Sequence, residues 1–468
     1  MRSPLRQTVF GLLVSLSGTF LLGCQDERRG GAILIVLDTV RADHLSVYGY
    51  DRPTTPHLEK LGQEGVVFDQ ALSYASWTLP SVASMLASGP PSSVLHQGRL
   101  NRSVVDAIRD AGYRTAAFTE GGFVSKTFGF DRGFEHWREV EGAVHLTQSG
   151  SPNDVPGDGG IENTFALARE WLEENGDEPF FLLIHTYEPH TPYTRTTFTE
   201  GLDRGELPET FSMEDLRRVQ SGELVLGETE RRYLTALYDG GLKKADEAVG
   251  ELLLDLERLG LEDTIVVVTS DHGEELGEHY PRYAANHGHS LHDPLVHVPL
   301  IIRDPKAETQ ARISEQVRTL DVLPTIADLL GAKPLFDAAG ESLGPWLHGG
   351  VRQDRIAYGS GTRFGPPRAY LRHAGLDMKY IEVLGPENPK TPLEPPPPER
   401  ALYDLGSDPF ERENIAGEKP KLAEQLSKMV GQSLVKRSAQ TSIEIPANAT
   451  PELIERLRSL GYIEVQDK

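Results

Sequence analysis

Acidic and histidine side chains follow three apolar, strand-like segments of the chain, and their types are those of a metal or anion site. They are Asp38 after residues 32–37, His185 and His190 after residues 180–184, and Asp271 and His272 after residues 264–268. Because the carboxyl ends of parallel strands form one edge of a sheet, side chains far apart in sequence converge there. A single aspartate after a strand is often a helix cap. Three such strand ends together predict a shared metal or anion site.

A second group of histidines lies in the segment "NHGHSLHDPLVHVP", just before another apolar run. Such a tract is also compatible with a surface feature, but its position next to a strand favours a place near the sheet. We expect His289 first and His287 second to be site residues. We expect His292 and His297 to be structural.

The segment "SYASWTLPSVASMLASG", residues 73–89, predicts a helix that begins near a hydroxyl group. Pro80 lies two residues after Thr78, and proline is favoured in a first helical turn because it has no N–H to leave unpaired. The free N–H groups and the positive end of the helix dipole at that point favour an anion. From this segment alone, Thr78 is either a helix cap or a catalytic nucleophile.

Four apolar runs predict strands buried on both faces, as in a parallel sheet covered by helices. The runs are residues 32–37, 180–184, 264–268 and 298–302. Residues 228–259 repeat apolar side chains at three- and four-residue spacing and predict a long helix that ends at Gly260. Strands alternating with helices indicate an α/β fold. Residues 148–160 and 194–227 lack a strong period and are expected to be loops or insertions.

The chain changes character after about residue 357. Its elements are predicted strands at residues 378–383 and 402–405, a proline run at residues 395–398, and predicted helices at residues 419–435 and 451–460. We interpret this part as a smaller α+β subdomain. The expected domains are a catalytic α/β domain at residues 31–350 and a C-terminal subdomain at residues 351–468.

The first residues predict an exported, lipid-anchored protein. Arg2 and Arg6 precede an apolar stretch at residues 9–22, which is shorter than the ~18 to 20 residues that a membrane span needs. The stretch ends in "LLGC", which resembles the lipidation box of bacterial lipoproteins, and Cys24 is the only cysteine. We therefore expect a signal peptide at residues 1–23, then a lipidated Cys24 with a short linker to residue 30. The expected location is the bacterial cell envelope.

The composition is that of an ordinary globular protein, with 38% hydrophobic and 25% charged residues. The formal net charge of −23 argues against nucleic acid and against an anionic membrane surface as partners. The membrane is therefore expected as a partner only through the lipid on Cys24.

Six segments between about residue 31 and residue 416 carry a family resemblance. They are "ILIVLDTVRADHLSVYGYDRPTTPHLEKLGQEGVVFDQA", "WTLPSVASMLASG", "FFLLIHTYEPHTPY", "TIVVVTSDHGEELGEH", "HGHSLHDPLVHVPLII" and "ALYDLGSDPFERENIA". In their order and spacing the chain resembles the sulfatase family of the alkaline phosphatase superfamily. The resemblance implies an α/β sandwich with a large, mostly parallel sheet flanked by helices, plus a smaller C-terminal α+β subdomain. The last helix, "TPELIERLRSLGYIE", resembles tails found in a bacterial branch of that family.

The resemblance also implies a divalent metal ion beside a nucleophile. Asp38, Asp271 and His272 match the metal positions, and Thr78 matches the nucleophile, which is expected to contact the metal as well.

The histidines then take catalytic roles by the same resemblance. His190 matches a histidine that contacts the transferred group. His289 or His287 falls where relatives place a lysine or histidine near the leaving oxygen. His185, on the same segment as His190, completes the candidate catalytic residues.

Three positions depart from the family's pattern. Sulfatases carry Cys or Ser at the Thr78 position, within C/S-x-P-x-R, and an enzyme converts that residue to formylglycine; threonine cannot be converted. Val82 replaces the arginine of the motif, and Thr39 replaces the second aspartate of an Asp-Asp pair, which removes a metal ligand.

A ligand set with one carboxylate fewer and an imidazole shifts the metal preference from Ca²⁺ toward Zn²⁺ or Mn²⁺. We expect one divalent ion, namely Ca²⁺, Mn²⁺ or Zn²⁺.

The first hypothesis is a metal-dependent hydrolase of sulfate or phosphate esters, acting on a small-molecule, glycan or lipid substrate. Formylglycine hydrate releases sulfate by elimination from a geminal diol, whereas an ester on Thr78 must be attacked by water. This chemistry favours phosphoryl transfer, since relatives turn over phosphoryl groups on Ser or Thr. Two alternatives stay open. One is an envelope phospho-group transferase resembling the phosphoethanolamine transferases, and the other is a catalytically inactive sulfatase-like lipoprotein.

Overall fold

The computed structural model describes residues 30–140, 160–308, 310–333, 336–386, 393, 396–435 and 449–460. The expected signal peptide, Cys24 and residues 148–159 of the expected loop lie outside these described residues. Within the described ranges, no helix combines the length and apolar character needed to cross a bilayer.

The structure is built from short strands and mostly short helices. The strands are β1 (Ala32–Leu37), β2 (Val66–Phe68), β3 (Ala71–Leu72), β4 (Leu95–His96), β5 (Arg99–Leu100), β6 (Arg114–Thr119), β7 (His136–Glu139), β8 (Phe180–Thr186), β9 (Ile265–Thr269), β10 (His297–Val298), β11 (Leu300–Arg303), β12 (Ala311–Ile313), β13 (Val317–Arg318), β14 (Ala357–Ser360), β15 (Arg368–His373), β16 (Met378–Val383) and β17 (Arg400–Asp404). The α-helices are α1 (Pro56–Glu64), α2 (Thr78–Ala87), α3 (Pro91–Val94), α4 (Val105–Asp110), α5 (Ile161–Asn175), α6 (Met213–Ser221), α7 (Glu228–Arg258), α8 (Asp293–Val296), α9 (Val322–Leu329), α10 (Gly344–Leu347), α11 (Pro420–Val435) and α12 (Pro451–Ser459).

The largest sheet of the described residues has eight strands in the order β12-β2-β11-β9-β1-β8-β6-β7. Strand β1 lies between β8 and β9 and is parallel to both, with Val36 opposite His185 and Thr269. Strands β6 and β7 continue the parallel arrangement beyond β8. This register brings the residues that follow β1, β8 and β9 to one edge of the sheet, as the strand-end argument predicts.

The apolar run at residues 298–302 was expected to be one more strand of the parallel sheet, and this expectation is wrong. Pro299 has no N–H for a ladder and divides the run. Strand β10 pairs with β3 in a small separate sheet, and β11 enters the main sheet antiparallel to β9 and β2. Leu300, at the start of β11, is paired with Thr269 at the end of β9. An antiparallel strand begins where its parallel neighbours end, so the histidine-rich segment before β11 is brought to the same edge.

Helices cover both faces of the main sheet. Leu34 and Val36 of β1 belong to one buried cluster together with Val82 of α2. Ile33 and Ile35, which point the other way, belong to a second cluster with residues of α5 and α7. Burial of each such side chain contributes about 1.5 to 3 kcal/mol to folding. This arrangement confirms the α/β sandwich with a large, mostly parallel sheet.

The long helix expected at residues 228–259 is confirmed as α7, and Gly260 follows it with a left-handed φ of 68°. The segment 194–227, expected to be irregular, contains the helix α6 and is corrected on that point. Ser212 and Asp215 form a reciprocal capping box at its start, and such a box satisfies free N–H groups of the first turn. The helix is short and mostly polar, so its period is weak in the sequence.

A smaller antiparallel sheet in the order β14-β15-β16-β17 lies in the C-terminal part. Helix α11 covers one face, where Leu402 of β17 packs with Leu426 and Val430. The predicted strand at residues 378–383 is confirmed as β16. Helix α12 packs elsewhere, because Leu453 and Leu457 belong to a core cluster of the main sheet.

Candidate active site

Asp38, Asp271 and His272 meet at the edge of the main sheet where β1 and β9 end. All three side chains are fully buried. His272 Nε2 lies 3.4 Å from Asp271 Oδ2 and 3.8 Å from Asp38 Oδ1. One ligand atom of each residue lies within 4.8 Å of the others. Asp38 Oδ1 and Asp271 Oδ2 have no hydrogen-bond partner among the described residues. Buried carboxylate oxygens require a partner, and a cation is a suitable one.

The donor set of these residues fits one divalent metal ion. His272 Nδ1 donates a 2.9 Å hydrogen bond to the carbonyl of Gly273, so Nε2 carries the lone pair that a metal requires. The backbone N–H of His272 donates to Asp271 Oδ1 at 2.9 Å and leaves Oδ2 available. Burial first, and then the charge of Asp271, raise the pKa of Asp38 well above its usual value. A bound cation would remove this cost.

The Thr78 hydroxyl lies against this group. Trp77 is the N-cap of α2, and Thr78 is the first residue of the helix. Thr78 Oγ1 lies 3.3 Å from Asp38 Oδ2 and 3.3 Å from His272 Nε2. Because Trp77 is the N-cap, the helix-cap interpretation of Thr78 is wrong.

Serine hydroxyls hold the backbone around the site. Ser73 and Ser81 both donate to the carbonyl of Asp271, and Ser270 donates to the carbonyl of His272 at 2.6 Å. Ser81 therefore connects α2, whose first residue is Thr78, to the loop that carries Asp271 and His272. These serines could not be identified from the sequence, because the bonds join distant segments and leave no local pattern.

Two further imidazoles stand beside His272. The ring centroid of His287 lies 4.4 Å from that of His272 and 4.9 Å from that of His190. His190 Nδ1 donates to the carbonyl of Thr191 at 2.5 Å, and burial lowers the pKa of His190 to about 3. His190 is therefore neutral at neutral pH, with a lone pair at Nε2.

His287 pairs with an acidic residue. Its Nδ1 lies 3.1 Å from Glu274 Oε1. Burial lowers the pKa of His287 and raises the pKa of Glu274, both well away from their usual values. The contact with Glu274 therefore fixes the orientation of the His287 ring beside His272.

His289, the first choice from the sequence, lies beside a different acidic residue. Its Nε2 is 3.6 Å from Glu275 Oε2, and its ring packs 4.8 Å from Tyr283 and 5.2 Å from Tyr280, centroid to centroid. Burial lowers the pKa of His289. Of the two expected histidines, His287 is the one in contact with His272.

His185 stands next to Asp38, with Nε2 3.5 Å from Asp38 Oδ2. It belongs to β8 itself rather than to the loop that follows. Its ring is buried, and burial lowers its pKa. A neutral imidazole therefore borders the metal-site carboxylate.

His292 and His297 make contacts of a structural kind. His292 Nε2 lies 3.0 Å from the hydroxyl of Tyr403 in β17. His297 Nε2 donates to the carbonyl of Asp69 at 2.8 Å. Each bond joins the histidine-rich segment to another part of the fold, which fits the expected structural role.

Arg363, in the connection between β14 and β15, borders the site from the smaller sheet. Its guanidinium carbon lies 5.6 Å from the ring centroid of Trp77 and 5.5 Å from that of Phe123. The backbone N–H of Arg363 donates to the carbonyl of Gly288 at 2.6 Å. Burial above all, and then neighbouring charges that include Arg363, lower the pKa of His287. Arg363 lies far along the chain from any motif, so no sequence pattern identified it.

The two substituted motif positions lie in or next to the site. Val82, on α2 one turn after Thr78, is buried in the apolar core. Thr39 follows Asp38 in a left-handed conformation with φ 60°. Its buried hydroxyl has no hydrogen-bond partner among the described residues. A short hydroxyl thus stands where the resemblance predicted a second carboxylate.

Comparisons with known proteins agree with this architecture. The family model described as Sulfatase matches residues 32–332. An N-acetylglucosamine-6-O-sulfatase of Bacteroides thetaiotaomicron is 24% identical over 511 residues, covering 87% of this chain and 87% of the relative. The multifunctional alkaline phosphatase superfamily protein PehA of Trinickia caryophylli is 27% identical over 293 residues, covering 55% of this chain and 56% of the relative.

Solved structures show the same fold at low sequence identity. The phosphonate monoester hydrolase of Agrobacterium radiobacter superposes with a TM-score of 0.67 at 19% identity, covering 88% of this chain and 97% of that chain. A structure solved in complex with D-glucosamine-2-N,6-O-disulfate superposes with a TM-score of 0.68 at 21% identity, covering 87% and 98%.

Proposed function

Because the chain belongs to the sulfatase family, we propose that it is a metal-dependent hydrolase of sulfate or phosphate esters with Thr78 as its nucleophile. The observation that carries the proposal is the position of Thr78 Oγ1, 3.3 Å from both Asp38 Oδ2 and His272 Nε2. A hydroxyl so placed lies beside two of the three ligands that the metal would have.

Asp38, Asp271 and His272 would hold the divalent ion. Such an ion lowers the pKa of a neighbouring hydroxyl and neutralises charge on the group being transferred. Since the set contains an imidazole and lacks a carboxylate at Thr39, Zn²⁺ or Mn²⁺ is favoured over Ca²⁺.

Different side chains of the protein carry out the separate proton transfers of the reaction. Thr78 donates its hydroxyl hydrogen toward Asp38 Oδ2, which directs a lone pair of Oγ1 at the ester. His287, held by Glu274 beside His272, is the donor to the leaving oxygen. His190, whose Nδ1 is bonded to the carbonyl of Thr191, is the base that takes a proton at Nε2 from the water that cleaves the Thr78 ester.

Arg363 supplies a permanent positive charge at this wall of the site. Its guanidinium stacks on Trp77, the residue before Thr78, and its backbone is bonded to Gly288 between two histidines. We assign Arg363 the role of stabilising negative charge on the bound ester. An arginine is suited to this role because its fork of N–H donors matches the oxygens of a tetrahedral anion.

The transferred group is proposed to be phosphoryl rather than sulfuryl. Thr78 cannot become formylglycine, so the elimination route that releases sulfate is absent and water must cleave the ester. The similar structures include both a phosphonate monoester hydrolase and a protein bound to a sulfated sugar, which keeps both ester classes in the test.

The test is a screen of the purified protein with Zn²⁺, Mn²⁺ or Ca²⁺ added. Four aryl esters with the same leaving group are compared: sulfate, phosphate monoester, phosphodiester and phosphonate monoester. We expect metal-dependent turnover of at least one phosphoryl ester that Thr78→Ala abolishes. Transfer to an added alcohol in place of release to water would identify a transferase instead. No turnover of any ester, with the metal bound, would identify a non-catalytic binding protein.

We also propose that the mature chain is anchored at the bacterial cell envelope by lipid on Cys24. The support is the order of a basic start, an apolar stretch and "LLGC". The substrate would then be met at a membrane surface.

A further inference from the structure

Helix α12 lies at the same edge of the main sheet as the candidate active site, although it follows the family match at residues 32–332 by more than a hundred positions. Leu453, Leu457 and Leu460 repeat at helical spacing and are buried in a core cluster of the main sheet. Leu460 approaches Gly122, in the loop after β6. The helix is therefore fixed against the loop that follows β6.

Arg456 on this helix contacts two residues of that edge. Its Nε donates to the carbonyl of Glu120 at 3.2 Å, and its Nη2 lies 3.7 Å from Glu120 Oε2. Its guanidinium carbon lies 5.5 Å from the ring centroid of Tyr187. The side chain is 14% exposed, so these contacts are largely shielded from water.

Glu120 connects the ends of β6 and β8. The two strands are parallel, with Thr119 opposite His185. Glu120 Oε1 accepts a 2.6 Å bond from Thr186 Oγ1, and Oε2 accepts a 3.0 Å bond from the N–H of Tyr187. Glu120 is buried, and removal of the cationic partner of a buried carboxylate is costly because it leaves an uncompensated charge.

The ring of Tyr187 packs against two histidines of the site, His185 and His190. Its ring stands edge-on to His185 at 4.9 Å and 75°, and edge-on to His190 at 5.8 Å and 87°. Its hydroxyl accepts from the N–H of Phe123 at 3.2 Å and donates to the carbonyl of Gly121 at 3.3 Å. The ring is thus held at both ends between the two imidazoles.

We propose that Arg456 is a positioning residue of the active site, and that α12 is part of the framework that orients His185 and His190 through Glu120 and Tyr187. Arg456 does not touch the substrate. When it is removed, Glu120 loses its cation, the bonds to Thr186 and Tyr187 loosen, and the two imidazoles lose their fixed orientation. The catalytic consequence rests on the proposed function, whereas the ordering of the loop does not.

The experiment uses the full-length chain and three variants. Arg456→Gln removes the cation, Arg456→Lys keeps a charge, and Arg458→Gln is the matched control on the same helix. Arg458 is paired with Glu455 of its own helix, so its loss leaves Glu120 intact. Hydrogen exchange is followed by mass spectrometry in peptides covering residues 118–124 and 183–193. Turnover of the best aryl ester is measured on the same preparations.

We expect Arg456→Gln to raise exchange in those two peptides alone and to lower kcat by about 10-fold to 100-fold, a range typical of a misplaced catalytic group, with KM changed less than kcat. Arg456→Lys should restore part of both effects, and Arg458→Gln should change neither. Unchanged exchange in the two peptides, a rise spread over the whole chain, or the same rise in Arg458→Gln would overturn the proposal. If the wild-type protein hydrolyses no ester, the proposed function fails, and the exchange data alone decide the role of Arg456.

Discussion

Thr78 Oγ1 and His272 Nε2 lie 3.3 Å apart although 194 positions separate them in the chain. Thr78 is the first residue of α2, and His272 follows β9, which is a central strand of the main sheet. Ser81, one turn further along α2, donates to the carbonyl of Asp271 and so connects the same two segments. The helix start and the strand end are therefore held in fixed relation, which is the condition for a hydroxyl to act beside a metal ion.

Removal of Asp271 should remove the metal. Asp271→Ala leaves His272 and Asp38 without the third donor of the group, so we expect the bound divalent ion to fall from one per chain to none. Elemental analysis of protein dialysed against metal-free buffer gives the count, and circular dichroism checks the fold. Asp304→Ala, which removes a buried aspartate at the end of β11, should keep the ion. Two tightly bound ions per wild-type chain would refute the one-metal site.

His190→Gln should slow the second half of the reaction. The base at Nε2 is lost, so the ester on Thr78 should form and then persist, with kcat reduced by about 100-fold. Rapid-mixing experiments should show a burst of the aryl alcohol followed by slow turnover. The exposed His96 provides the control variant His96→Gln. A uniform loss of both burst and steady state would place His190 in the first step instead.

Arg363→Gln should weaken the binding of anionic esters. Loss of the charge beside Trp77 is expected to raise KM by about 10-fold, in line with one charge-assisted hydrogen bond. Arg412 is an exposed arginine that also lies over an aromatic ring, that of Phe410 at 5.1 Å. Arg412→Gln is therefore the matched control. Equal KM values in wild type and Arg363→Gln would exclude a substrate contact.

The expression of the whole chain in a bacterial host should yield a lipid-modified Cys24. Mass spectrometry of the mature N-terminal peptide is expected to show Cys24 as the first residue, carrying acyl chains. Cys24→Ser should move the protein from the membrane fraction to the soluble fraction. An unmodified Cys24, or cleavage at another bond, would end the proposal of a lipid anchor.

The parts of the fold that were predictable are those with a local pattern. The runs that became β1, β8 and β9 are continuously apolar, α7 has a sustained helical period, and the acidic residues after the strands mark one sheet edge. The direction of β11 was not predictable, because apolar composition does not encode strand polarity, and Pro299 only indicates a break. The short helix α6 carries too few apolar residues for a visible period.

The site was predictable in its metal-binding part and not in its surroundings. Asp38, Asp271 and Thr78 carry motif-like neighbours, and the structure brings them together. Ser73, Arg363 and Arg456 reach the site only through tertiary contacts between distant segments. Such contacts depend on packing, which a single sequence does not display.

The central claim is that Thr78 is the covalent nucleophile of a phosphoryl-transfer reaction. The most direct measurement is intact-mass and peptide analysis of protein quenched during turnover of an aryl phosphoryl ester, compared with Thr78→Ser and Thr78→Ala. We predict a phosphoryl group on the peptide that contains Thr78, substantial activity in Thr78→Ser, and a loss of at least about 1,000-fold, or ~4 kcal/mol of transition-state stabilisation, in Thr78→Ala. Rapid multiple turnover of the sulfate ester by the unmodified Thr78 protein, or full activity in Thr78→Ala, would contradict the account.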